Sequence, residues 1–156
     1  MAKRQMRIET PRGAVYHTPN MSAVLEWNSN FVPKWTNRFS KAQMFVDSEV
    51  LRLCEPYTPI LTSMLIKSGV LGTEFGSGLV QWIAPYAKFQ YYGKVMVGVQ
   101  SGSPWARRGE KKVVTERPLT YHGGGMRGAY WFERMKEVHR DKIVEGARRI
   151  AGGGNV

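Results

Sequence analysis

Cysteine is almost missing from this chain, and acidic side chains are scarce. The single cysteine, Cys54, excludes an internal disulfide and any cysteine-rich zinc site, and suits a reducing compartment. No run of about 18 apolar residues occurs, and the opening MAKRQMRIETPRG has no apolar segment behind its charges. Neither a membrane span nor a secretory signal is therefore expected. The three histidines, His17, His122 and His139, belong to no HExxH or HxH pattern. Gly72, Gly76 and Gly78 are followed by no Gly-Lys-Ser/Thr and open no GxGxxG helix, so tight turns account for them better than a nucleotide site.

What the chain has is positive charge. There are 23 lysines and arginines against 12 acids, a net charge of +11. The excess is uneven, since residues 75–132 hold eight basic groups against two acidic ones, or +6. Such a region suits a phosphate backbone or an acidic protein surface. With 156 residues, 42% of them hydrophobic, the chain can bury one core, and a second is not expected.

The first 20 residues mix charges with Pro11, Gly13 and Pro19 and read as a flexible arm that orders only against a neighbour. A single domain is expected over residues 21–152, with 153–156 as a tail. Ser22 to Trp27 reads as a short strand. From Phe31, apolar residues recur at three and four (Phe31, Trp35, Phe39, Ala42, Val46, Val50, Leu53), which predicts a helix over about 30–55. Ser29 or Asn30 is suited to cap it, Pro33 sits in its first turn and Pro56 stops it. Asp47 falls off the apolar stripe, and Cys54 reads as a small buried hydrophobe.

One or two helical turns are predicted at Ser63–Lys67, then two short strands around Gly76-Ser77-Gly78. Tyr86, Phe89 and Tyr92 have helical spacing, and VMVGV beyond Lys94 looks extended. Residues 100–128 read as a flexible, arginine-rich loop region with KKVVTER as a candidate strand. Trp131–Ala151 is a second amphipathic helix, with Phe132, Met135, His139, Ile143, Ala147 and Ile150 along one stripe. The expected architecture is α+β: a long N-terminal helix and a C-terminal helix packed on a small antiparallel sheet.

Catalytic chemistry is thinly represented. Glu133, Glu137, Asp141 and Glu145 alternate with Arg134, Lys136, Arg140 and Lys142, the signature of a solvated helix face. A hydrolase or nuclease would need Asp47, Glu49 or His139 to converge on a metal. The chain is read as non-enzymatic, with no cofactor. The functional signal that survives combines rings and cations: Lys88, Lys94, Arg107, Arg108, Lys111 and Lys112 around Trp82, Tyr86, Phe89, Tyr91, Tyr92 and Trp105. Two readings stay open, bases stacking over a positive groove or rings serving core and subunit interface.

The order of motifs resembles the minor capsid protein family of long-tailed bacteriophages, itself similar in layout to tail-completion or neck proteins. The likeness runs through FVPKWTNRFSKAQMFVDSEVLRLCEPYTP, MLIKSGVLGTEFGSGLVQWIAPYAKFQYYGK and GAYWFERMKEVHRDKIVEGARRIAGG, covering about residues 22–152. It departs at Thr62-Ser63, where the family pattern often has Thr-Gly.

The resemblance implies a structural virion protein at the head–tail junction, assembled in the host cytoplasm. It would form a homo-oligomeric ring, a hexamer or dodecamer, between head-connector or head-closure proteins and tail-terminator or tail-tube proteins, near the genome in the channel. A tail-terminator ring protein and a basic DNA-binding module are the alternatives. The same resemblance makes nine of these residues candidate interface anchors: Tyr86, Phe89, Tyr91, Tyr92, Trp105, Lys88, Lys94, Arg107 and Arg108.

Overall fold

The computed structural model describes residues 8–105 and 107–152. Residues 1–7 of the expected arm and the expected tail at 153–156 lie outside them. The chain is α+β. Strands β1 (Ala14–Thr18) and β2 (Met21–Leu25) form an antiparallel hairpin that pairs Tyr16 with Ala23. Helix α1 (Phe31–Cys54) follows, then a 3-10 turn (Glu55–Tyr57), α2 (Met64–Gly72) and α3 (Ala87–Tyr92). Strands β3 (Lys94–Gly98) and β4 (Lys112–Pro118) make a second antiparallel ribbon, and α4 (Trp131–Gly152) ends the described chain.

Two corrections concern strands. The arm expected over residues 1–20 contains β1, because Thr18 and Met21 close a tight turn in which the Thr18 Oγ1 donates to the Met21 carbonyl at 3.1 Å. The two strands expected around Gly76-Ser77-Gly78 are absent among the described residues. That segment is a turn followed by irregular chain, since Gly76 and Gly78 take φ of +92° and +76° and their N–H groups go to a side chain instead of a ladder. The single sheet expected under the helices is accordingly replaced by two separate ribbons. The loop region expected over 100–128 holds β4.

Helix α1 begins where Asn28 folds a turn: its side-chain oxygen accepts the Asn30 N–H at 2.8 Å and its carbonyl accepts the Phe31 N–H at 2.8 Å. Neither Ser29 nor Asn30 supplies the cap expected of it. Pro56 tightens the far end into the 3-10 turn, which stops when Thr58 becomes extended. Helices α1 and α4 pack against each other over most of their length. They run antiparallel: Arg38 donates to the Gly152 carbonyl at 3.4 Å at one end, and Tyr57 meets His139 at 3.4 Å at the other. Midway, a methyl on Gly146 would strike the Phe45 ring at 2.5 Å, so only glycine allows this approach.

The core is Leu53, Cys54, Tyr57, Leu65, Ala87, Trp131, Met135 and Ile143. The apolar stripe of α1 is buried only in its second half. Towards the N-terminus, Trp27, Phe31, Trp35 and Phe39 instead stack in a ladder with centroids 4.9, 6.1 and 5.9 Å apart, half-buried or exposed, with the Arg38 guanidinium 5.3 Å above Trp35.

Candidate functional site

The nine residues singled out in the sequence divide into two groups, separated by the length of β3, about 15 Å. The first group is on α3 and its flanks. Here the expected stripe of Tyr86, Phe89 and Tyr92 is not the buried face. Ala87 and Tyr91 point to the core, while Tyr86 and Tyr92 are exposed and Phe89 is half-buried. The phase is set by Trp131, which is 1% exposed and stands edge-on to Tyr91 at 4.7 Å and to Trp82 at 5.7 Å.

Tyr91 is the hinge of this cluster. Its ring also meets Tyr92 at 5.4 Å and Tyr130 at 5.6 Å, and its hydroxyl donates to Glu133. Burial, then the hydrogen bond to the Glu133 carboxylate, pushes its phenol up. Tyr130, at φ +51°, donates its N–H to the Tyr91 carbonyl at 2.9 Å and starts α4. Tyr91 thus joins α3 to the head of α4, which rules it out as an open stacking platform. Lys94 is tied to Glu116 at 2.5 Å, and Lys88 is exposed.

The second group lies on the connection from β3 to β4. Trp105 is 89% exposed, the most exposed large apolar residue among those described, and Arg107, Arg108, Lys111 and Lys112 are exposed beside it. Glu110 organises the loop. Its Oε1 accepts the N–H of Gln100 at 2.9 Å and of Ser101 at 2.7 Å, and its Oε2 accepts the Arg107 N–H at 2.8 Å and the Ser101 hydroxyl at 3.0 Å. Led by the Ser101 amide, these donors hold the carboxyl down at about 2. A side chain on Gly98 would collide with this carboxylate.

Sequence reasoning passed over two residues that matter more to the architecture than the nine. Asp47, assigned to the outer face of α1, is 1% exposed and ties the Gly76–Gly78 turn to the helix. Arg127 donates to the carbonyls of Glu55 at 3.0 Å and Thr58 at 2.5 Å, closing the C-terminal end of α1. A glycine pair facing a helix with one acid off the stripe was the available signal for the first. The second had none.

Asp47, Glu49 and His139, which a metal site would have needed together, are each engaged separately: Asp47 by glycine amides, Glu49 by Arg52 at 2.6 Å, His139 by Tyr57. Among the described residues, no group of three His, Cys, Asp or Glu side chains is placed to hold a metal, and no helix is long and apolar enough to cross a membrane. Cys54 is fully buried, and burial followed by the Glu133 charge pushes its thiol up to about 12, far from nucleophilic use.

Two surfaces remain that could meet another molecule. One is the β1–β2 hairpin, in which every residue of both strands is exposed, including Val15, Tyr16, Met21, Val24 and Leu25. The other is an apolar groove of about 460 Å³ where Val46 and Val50 of α1 face Leu79, Val80, Trp82 and Phe132. No protein-family model, no curated protein and no solved structure matches this chain.

Proposed function

We propose that this protein is a structural subunit of the head–tail junction of a tailed bacteriophage, a neck or tail-completion component that closes into a homo-oligomeric ring between head connector and tail. The observation that supports an assembly role is the β1–β2 hairpin. A lone two-stranded ribbon is marginal in water. This one turns Tyr16, Ala23, Met21 and Leu25 to one face and Val15 and Val24 to the other, with no layer from the described residues covering either. A neighbouring subunit is the natural cover.

A cyclic ring needs two unlike, complementary faces on each subunit. The hairpin and the groove beside Trp82 are such a pair, and the exposed rings of Tyr86 and Tyr92 extend the available contact. Placement at the junction, with head-connector or head-closure proteins on one side and tail-terminator or tail-tube proteins on the other, rests on the motif resemblance over residues 22–152. The same resemblance supports a hexamer or dodecamer and a non-enzymatic role.

Electron cryomicroscopy of the virion, focused on the head–tail junction, tests the proposal. The expected result is a closed ring of this chain, with residues 14–25 of each subunit seated on the next. A junction built without this chain overturns it.

A further inference from the structure

The β3–β4 connection has chemistry that neither ring closure nor the core uses. We propose that this loop is a nucleic-acid contact, in which Arg107, Arg108 and Lys111 hold backbone phosphates and the Trp105 indole stacks on an unpaired base.

The loop is built to display these groups. Glu110 receives four donors from within the loop, so the one carboxylate among the cations is already engaged by hydrogen bonds. Lys112 contributes to the frame by donating to the Pro104 carbonyl at 2.9 Å, and Ser103 Oγ accepts the Trp105 N–H at 3.1 Å. The Gly98 N–H reaches the Ser103 carbonyl at 2.8 Å, and the Val99 N–H reaches the Lys111 carbonyl at 3.0 Å, which closes the loop at its base. Arg107, Arg108, Gly109 and Lys111 then line a concave surface of about 530 Å³ with Val99, Gln100 and the hydrogen-bonded Glu110. The loop backbone that carries the cations is hydrogen-bonded before any ligand arrives, which lowers the ordering cost of binding.

The composition favours a polynucleotide over an acidic protein. An interface anchor in a protein contact is typically surrounded by a ring of packed side chains that excludes water. Around Trp105 the chain instead supplies Ser101, Gly102, Ser103, Arg107, Arg108 and Gly109. A base needs only one face of an indole, and phosphates need only the guanidinium and ammonium groups beside it.

The test is binding of the full chain to a fluorescein-labelled 20-mer of thymidine, followed by anisotropy across a salt series. Three variants are compared: R107A/R108A, W105A, and K136A/R148A, which removes the same charge from exposed positions on α4. All substituted side chains are exposed, and circular dichroism checks the fold. In the expected result R107A/R108A lowers the slope of log K against log salt by about 1.4, two single-strand phosphate contacts at about 0.7 each. W105A weakens binding about tenfold, and K136A/R148A changes much less than either.

Equal losses in R107A/R108A and K136A/R148A would mean that net charge alone attracts the strand, and would overturn the proposal. Displacement of the oligonucleotide by poly-glutamate at matched charge would overturn it in favour of an acidic protein partner. The outcome is separable from the joining role, since a ring at the junction forms or fails to form whatever this loop binds.

Discussion

The Oδ2 of Asp47 accepts the backbone N–H of Gly76 at 2.7 Å, joining the middle of α1 to a turn 29 residues further on. The same oxygen accepts the Gly78 N–H at 3.2 Å, and Oδ1 takes the Gln43 amide at 2.8 Å. Both glycines hold positive φ, so the two amides converge on one acceptor. This clamp positions Leu79, Val80 and Trp82 along the apolar groove.

Replacing Asp47, itself 1% exposed, with alanine leaves those two amides without their acceptor. Two lost partners at roughly 1–3 kcal/mol each predict a destabilisation of about 3 kcal/mol. Urea unfolding of D47A against the parent measures it. D47N, which keeps an acceptor but adds a donor beside the N–H groups, should fall between the two.

Ser63, the N-cap residue of α2, sits at φ +59° with no side-chain hydrogen bond to offset the strain. A left-handed non-glycine residue costs roughly 1–2 kcal/mol, and glycine returns part of that through the freedom of the unfolded chain. Ser63→Gly should therefore stabilise the domain by about 0.5–1 kcal/mol, read as a raised urea midpoint at unchanged slope.

Alkaline pH should weaken the fold. The Cys54 thiol stands at about 12 in the fold against an ordinary 9.0, raised by burial and then by Glu133. The unfolded chain gives up that proton first. Stability is complete below pH 9.0 and declines as pH rises towards 12. Tyr91, raised above its ordinary 10.0 chiefly by burial, acts in the same direction. Unfolding midpoints at successive pH values should fall across this window, and fall less steeply in C54A.

At the acid end the sign reverses. The Glu110 carboxyl is lowered from an ordinary 4.5 to about 2, so its bonds to Gln100, Ser101 and Arg107 persist above pH 4.5 and are lost as pH falls towards 2. Amide exchange at those residues should accelerate in that window while the α1 and α4 amides stay protected.

From the amino-acid sequence alone, the two long helices, the short α2 and α3, the β2, β3 and β4 strands, the buried Cys54 and the α+β class could all be read, because each depends on local spacing or on a single residue's polarity. The rest depended on what lies opposite. The phase of α3 followed from Trp131, a residue about 40 positions away whose volume claims Tyr91 and leaves Tyr86 and Tyr92 outside. Asp47 looks solvated by helical periodicity and is buried because a distant turn brings it two amides. The outer half of the α1 stripe, Phe31 to Phe39, has core-like spacing yet forms an aromatic ladder at the margin of the α1–α4 contact. Periodicity states which side of an element is apolar. Only the tertiary structure decides how much of that side finds a partner within the same chain, and among the described residues the hairpin and the groove find none.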